Sequence, residues 1–462
     1  MDASGCSGCS ERDARIADLE RRLAEAEGRL KTNASNSSIP PSANPLGADK
    51  PVKKKKSKRQ RGGQPNHPPH LKQLLPSEKV TRIETLLPCE CANCHAPLPK
   101  KAGADDPPPE RFQTIELRPI LVEVVEYQAH ARTCRECRQV THATIPADVR
   151  AHVFGSLLTS TVTYFSGCHG ISKRGIEEIV ETVFGVPIGL GTIANLEQEV
   201  SRALVSAHEE AIQAVRQANV KFADETSWKK WGALCWLWAA ATANVAVFVI
   251  HAKRSALGLA AILGEEIYGI LHSDRYHVYL QLPPERRQLC WAHLKRDFQK
   301  VVDLGGSSVV VGHKGLRIVK EVFAAWHAFQ EGKVTREKLG TMIAPLERRL
   351  NKALVEGAFG DDARVKKFCE NVLKLEPALW TFVRHEGVEP TNNYMERLLR
   401  RAVLWRRRSF GCNSEAGCRF VERILTVVQT RRLQGRNVLE YLHRAVQAHR
   451  NGQSCPGLLS QA

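Results

Sequence analysis

Eighteen consecutive residues, 233–250, read ALCWLWAAATANVAVFVI and carry no charge. A run of that length reaches the minimum for a membrane-spanning helix, so it must be buried in lipid or in protein. Thr242 and Asn244 stand at its middle, and its second half is rich in β-branched residues. Such residues favour strands, and a polar break suits a turn. The run therefore predicts two buried strands joined by a tight turn, which requires a sheet covered on both faces.

The neighbouring segments extend this sheet. NVKFADETSW precedes the run with strand character, NVAVFVIHAK ends it, a helical stretch spans 255–265, and YGILHSDRYHVY follows as another strand. Three strands, a helix and a strand make an α/β order. CWAHLKRD begins a helix, and residues 301–385 are mostly helical and polar. Upstream, RFQTIELRP and LVEVVEYQAHAR also read as strands, whereas 151–215 is helical. Within the latter, SKRGIEEIVETVFGVPIGLGTIANLEQEV predicts two helices across a Gly/Pro-rich connection, the pattern of a helix-turn-helix.

The formal net charge is +18, with a pI near 9.4. That excess favours a polyanionic partner, nucleic acid first and an anionic membrane surface second. The N-terminus is polar and soon charged, so no secretory leader is expected. Fourteen cysteines without a leader read as free thiols or metal ligands in a reducing, cytoplasmic compartment rather than as a disulfide framework.

Residues 1–30 contain a short amphipathic helix, with Ile16, Leu19, Leu23, Ala26 and Leu30 on a heptad seam of about two heptads. Residues 31–75 are rich in Ser, Asn, Pro and Gly and include a basic run with Lys53, Lys54, Lys55 and Lys56. Such a composition cannot bury a core; it predicts a flexible linker whose lysines touch phosphates without reading sequence.

Residues 76–150 hold two Cys-x-x-Cys pairs, Cys91/Cys94 and Cys134/Cys137. Four thiolates are the number a closed tetrahedral zinc site takes, and each short spacing can form one knuckle. The competing reading is four buried or oxidised cysteines. Cys89 is a substitute ligand beside Cys91, and Cys6/Cys9 form a further pair with no second pair to match.

Three carboxylates are placed to do chemistry. Asp224 and Asp274 each end an apolar strand run, and Glu396 lies on a helix with Arg400 one turn further on. Brought together, three such acids repel one another unless a divalent cation neutralises them, and hard oxygen ligands suit Mg²⁺ or Mn²⁺. Each also has a bland reading. Asp224 and Glu225 can be turn residues, Asp274 can pair with Arg275, and Glu396 stands three residues after Asn393, the spacing of a capping box. Cys290 and His293 form a Cys-x-x-His pair, which is two ligands short of a closed zinc site and reads equally as packing.

FADETSW, HSDRYHVY, CWAHLKRDF and TNNYMERLLR, in this order, resemble the insertion sequence 66 family of bacterial transposases. So do CSGC, NASNSSIPPS, the basic run and the paired cysteines. The resemblance covers nearly the whole chain. It implies a multidomain α+β / α/β protein with an RNase H-like catalytic core over 216–405, interrupted by a helical insertion at about 301–385. A zinc-binding module (76–150) and a helical DNA-binding region (151–215) precede this core, and a basic helical tail (406–462) follows it.

By the same resemblance Asp224, Asp274 and Glu396 are a catalytic triad holding Mg²⁺ or Mn²⁺, with His293 beside it. Cys91, Cys94, Cys134 and Cys137 then hold Zn²⁺. Arg400, Arg406, Arg407 and Arg408 hold the phosphates of double-stranded DNA, both terminal inverted repeats and target. A homo-oligomer and accessory transposition proteins are further expectations. A nuclease that cleaves without joining, or a DNA-binding regulator with an idle triad, would share these features.

Overall fold

The computed structural model describes residues 15–16, 18–19, 74–101, 103, 106–116, 122–306 and 309–459. It divides into two units, one of residues 50–121 and one of residues 1–49 with 122–462. Of the N-terminal helix, Arg15, Ile16, Asp18 and Leu19 are described and are helical; the rest of that seam, the linker lysines and Cys6/Cys9 lie outside the described residues.

The smaller unit has little regular structure in its described part. It contains a single 3₁₀ turn at Ser77–Lys79 and a bridge between Glu90 and Pro97. The strands expected across 111–132 do not form in the described residues. Residues 111–116 and 122–130 are irregular, and pairing begins only where β1 (Ala131–Thr133) meets β2 (Val140–His142) antiparallel. Phe112 and Val124 are 86% and 87% exposed. Alternating apolar residues made the prediction, but a strand also needs a facing layer and a partner, and the described residues of 111–116 and 122–129 pair with no strand.

In the larger unit the uncharged run folds as expected. β3 (Val220–Lys230), β4 (Ala233–Ala241) and β5 (Ala246–His251) form an antiparallel meander. β6 (Ile270–Ser273) lies beside β3 and parallel to it, and β7 (Arg287–Leu289) is parallel to β6. The order is β5-β4-β3-β6-β7. β7 was not foreseen, being three residues whose arginine and glutamine hide its strand character.

Side chains alternate between two cores. Trp238, Ala240, Val247 and Val249 face one, while Leu237, Ala239, Phe248 and Ile250 face the other. With both faces covered, the buried positions of the run, within 235–241 and 245–250, do not tolerate a charge. Among the described residues no helix is long and apolar enough to cross a membrane.

Helices supply the covering layers. α1 (Ser156–His169), α2 (Lys173–Phe184), α3 (Leu190–Ala203) and α4 (Val205–Gln217) precede the sheet. α2 and α3 are the expected pair: Ser172 caps α2 through the Gly175 amide, and Gly185 ends it in the left-handed conformation. α3, α4 and α5 (Ala256–Leu263) pack on one face of the sheet. After β7 come α6 (Trp291–Asp303), α7 (Val309–Gln330), α8 (Arg336–Ala358) and α9 (Ala363–Leu373), which build a separate core around Phe298, Ile318, Leu350 and Trp380. This helical body occupies the place of the expected insertion. α10 (Asn393–Ser409) and α11 (Glu415–Leu433) then cover the other face of the sheet.

The segment expected as a basic tail therefore contributes to the core. α11 runs along the edge strand β5 and bonds to its backbone. The amides of Ile250, Phe248 and Ala246 donate to Glu422 (2.5 Å), Thr426 (3.1 Å) and Thr430 (3.1 Å). The three acceptors recur every four residues, one helical face, and satisfy donors that an open edge would leave to another chain.

Glu422 is fully buried, and burial outweighs Arg419 and the Ile250 amide, pushing its pKa up to about 7. An acid raised in the folded state contributes stability that is full below about pH 4.5 and lost as the pH rises through 7. Glu422→Gln keeps the acceptor and removes the charge. Urea denaturation should show the variant gaining on the wild type by on the order of 3 kcal/mol between pH 4.5 and pH 8. A difference that stays constant across that range would show that Glu422 does not titrate there.

Candidate active site and cysteine knuckles

The pairing of β3 with β6 places two acids side by side. Phe222 is in register with His272, so Asp224, within β3, and Asp274, just past the end of β6, lie at the same level, two residues beyond the last parallel pair. Neighbouring strands lie about 4.8 Å apart, and the carboxyl ends of parallel strands are where open sheets hold ligands. Asp224 Oδ1 accepts the Glu225 amide at 2.9 Å, and Asp274 Oδ1 accepts the Tyr276 amide at 2.8 Å.

The third acid arrives on α10, whose start is tied to the sheet. Asn392 is buried; its Nδ2 donates to the Ala223 carbonyl at 2.9 Å, and its amide donates to Cys290 Sγ at 3.2 Å. The Trp291 amide donates to the Pro390 carbonyl at 2.9 Å. Tyr394 packs on Phe222 and donates to the Thr242 carbonyl at 2.8 Å. Asn392 is the residue before the helix and makes no side-chain cap bond, so the expected capping box from Asn393 to Glu396 is not what this turn builds. Instead, Glu396 Oε1 lies 3.3 Å from Arg296 Nη2 and 3.7 Å from His293 Nε2.

Burial, reinforced by the charges of Glu225, Asp274 and Glu396, holds the Asp224 carboxyl well above the usual carboxylate range. His293 sits below the usual histidine value because of burial and Arg296, against the pull of Asp274 and Glu396. Asp224, Asp274, Glu396 and His293 thus share one electrostatic environment. Among the described residues no three His, Cys, Asp or Glu side chains enclose a ready-made metal cage. The donor chemistry nevertheless fits a hard divalent cation: crowded carboxylate oxygens whose mutual repulsion such an ion relieves. Cys290 is buried, its thiol pushed up to about 11, and it serves packing and the Asn392 amide.

Several partners were not legible in the sequence. Glu225 faces away from Asp224, as alternate strand residues must, and accepts from Arg254 (2.8 and 2.6 Å) and Tyr279 Oη (2.6 Å). Arg254 stacks over Tyr276 at 3.8 Å. Arg287, buried in β7, donates to the Asp274 carbonyl at 2.9 Å and to Ser273 Oγ at 3.1 Å, which fixes the backbone carrying the acid. Asp297 pairs with Arg275 at 2.6 Å, so Arg275 does not neutralise its neighbour Asp274 by an ion pair. Glu225, Arg275, Tyr276 and Tyr279 stand close to the two aspartates in sequence, whereas nothing in the sequence marks Arg254, Arg287 or Asp297.

The arginines of α10 divide. Arg400 and Arg407 are exposed. Arg406 is half-buried and bonds to Thr226 Oγ1 (3.0 Å) and Ser227 Oγ (2.6 Å) on β3, while Arg408 donates to the His169 carbonyl at 3.2 Å. Arg406 therefore clamps helix to sheet.

The cysteine pairs belong to different units, and each forms the same turn. In one, the His95 amide donates to the Cys91 carbonyl at 3.0 Å, with His95 at φ 58°. In the other, the Arg138 amide donates to the Cys134 carbonyl at 3.0 Å, with Arg138 at φ 60°. The Cys91 thiol is held below its usual range by the amides of Cys94 and Asn93, and Cys134 by those of Cys137 and Glu136. Amides aimed at sulfur favour thiolate, the metal-binding form.

A mixed sheet flanked by helices, with acids converging where its parallel pairing ends, defines an α+β protein. The family described as "Transposase IS66 family" matches residues 152–419, more than half of the chain, and the protein belongs to that family. Residues 11–73 match a family of unknown function, DUF6444. "Uncharacterized protein y4qI" of Sinorhizobium fredii is 24% identical over 192 residues, covering 38% of this chain. The match spans 35% of that relative's length.

Proposed function

We propose that this transposase cuts phosphodiester bonds at the ends of a DNA element and joins the freed 3′-hydroxyls to target DNA, using an RNase H-like core. The observation that carries the reading is the convergence of Asp224, Asp274 and Glu396 at the mouth of the sheet. The strand order and directions support it: an antiparallel meander extended by two parallel strands.

Asp224, Asp274 and Glu396 would hold Mg²⁺ or Mn²⁺, and such ions stabilise the attacking and leaving oxygens of an in-line displacement. The chain's own groups bind and orient. Exposed Arg400 and Arg407 offer charge to backbone phosphates, and Arg296 and His293 hold the Glu396 carboxylate in place. Hydrolysis frees the 3′-hydroxyl, and in joining its new P–O bond replaces the target P–O bond that breaks, so no further energy source is needed. The linker lysines and the helix pair α2/α3 add contacts to the terminal inverted repeats, and a homo-oligomer with accessory proteins would bring two ends together. The deciding experiment is joining of a labelled element end to target DNA in Mg²⁺ or Mn²⁺. Cleavage without joining would assign a nuclease, and binding without either would assign a regulator.

We further propose that Cys91 and Cys94, and Cys134 and Cys137, bind zinc through their thiolates, the similar turn that each pair forms being the support. Protein purified without added metal should carry about one zinc per chain by elemental analysis. Replacing both Cys91 and Cys134 by Ser should remove it. Zinc that survives the double replacement would mean that other residues hold it.

A further inference from the structure

Two large aromatic side chains stand in solvent at the end of β3 remote from the acids. Trp231 is 63% exposed and Phe410 78% exposed. They neighbour the same backbone crossing: the Trp231 amide donates to the Cys412 carbonyl, and the Cys412 amide to the Lys229 carbonyl, both at 2.9 Å. Gly411 makes the crossing possible, since at φ 109° a Cβ there would collide with the Lys229 carbonyl oxygen.

Both aromatics occupy left-handed backbone, where β-carbons are disfavoured. Trp231 (φ 49°) and Gly232 (φ 75°) form the two-residue loop of the β3–β4 hairpin, a turn that prefers Asn-Gly. Phe410 (φ 58°) caps α10, a position usually held by Gly. Neither local propensity nor core packing explains these side chains. Bulky residues kept in a strained conformation and exposed to water point to an external contact.

The surroundings identify its chemistry. Lys229 and Lys230 lie at the crossing; Lys230 Nζ sits 5.3 Å from the Trp231 ring, and Glu415 lies 2.8 Å from Lys230. Aromatic faces interleaved with cations are how proteins hold unstacked bases and their phosphates. The spacing connects this patch with the acids. Asp224 to Trp231 is seven residues of strand, roughly 23 Å, and Glu396 to Phe410 is fourteen residues of helix, roughly 21 Å. β3 and α10 run in the same direction, joined by the contacts of Asn392, Arg406 and Cys412. About 20 Å corresponds to about six base pairs of duplex.

We propose that Trp231 and Phe410 form a stacking platform for an unpaired nucleotide, about six base pairs from the phosphate at the acid cluster. The proposal rests on the DNA reading above and adds a distorted site within that DNA.

The test uses the full chain without added Mg²⁺ and two probes of one sequence: a paired duplex, and the same duplex with a short unpaired bulge carrying 2-aminopurine. Wild-type protein should bind the bulged probe about tenfold more tightly than the paired one and quench the 2-aminopurine. Trp231→Gly and Phe410→Gly suit the backbone at their positions, so thermal unfolding should be no lower than in wild type. Each should weaken bulge binding by roughly five- to a hundredfold while paired-duplex binding changes less than about twofold. Unchanged bulge affinity in both variants would overturn the platform and leave the DNA reading intact. Wild-type protein that binds neither probe would overturn the DNA reading itself. If the variants lose self-association in sedimentation while keeping bulge affinity, the patch is a protein interface and the proposal is wrong.

Discussion

Glu396→Gln should reduce end cleavage and strand transfer by at least about a thousandfold, while binding to the same DNA stays near the wild-type level. The expectation follows from geometry. A capping glutamate could be replaced by Gln with little effect, because Gln also serves that position. Glu396 instead directs its carboxylate to Arg296 and His293, inside the field of Asp224 and Asp274. Gln keeps the shape and removes the charge that a hard cation requires. Asp224→Asn and Asp274→Asn should give the same phenotype, since ligands of one site act as a unit. In metal-free protein the Asp224→Asn change should not lower stability, because the wild-type carboxyl is buried among like charges. A joining assay and a binding assay on each variant, with thermal unfolding alongside, measure all of this. A Gln variant that joins DNA at near wild-type rate would remove Glu396 from the chemistry.

Asn392→Ala should impair activity through position alone. Its Nδ2 donates to the Ala223 carbonyl, the residue before Asp224, and its backbone opens the helix that carries Glu396. Truncation leaves a buried carbonyl without a donor and should cost about 1–3 kcal/mol in urea denaturation. Asn392→Asp should be worse despite its near-identical shape, because it sets an acceptor against the carbonyl and adds charge beside the acids. Joining should fall more than tenfold in both, with the paired-duplex affinity retained. If the Asn392→Asp variant supports normal joining, the bond to Ala223 does not set the distance between the helix and the strand of the site.

The two strands in 233–250 were legible because their signal is local. An uncharged run with a polar break and β-branched residues has few ways to be buried, and β4 and β5 follow from it. The helix pair Lys173–Phe184 and Leu190–Ala203 was legible for a similar reason, with Ser172 and Gly185 marking the ends of the first helix. The irregular backbone of 122–130 was misread because alternation is a local pattern, whereas pairing needs a partner from elsewhere in the chain. β7 was overlooked because its polar residues are buried by neighbours that the segment itself does not announce. The role of α11 was hidden likewise: Glu422, Thr426 and Thr430 look like surface residues until β5 is placed against them.

The sequence by itself determined the residue types: three acids in an ordered series, the cysteine pairs, the basic excess and a sheet buried on both faces. Only the tertiary structure decided their arrangement. It set Asp224 beside Asp274 through the parallel register of β3 and β6, brought Glu396 to the same edge through Asn392, and turned Arg406 inward to clamp β3. It also left Trp231 and Phe410 exposed beside one backbone crossing. The physical reason is range. Hydrophobic periodicity and turn chemistry act over a few residues, whereas register, helix docking and the convergence of charges are settled by contacts between segments far apart in the chain.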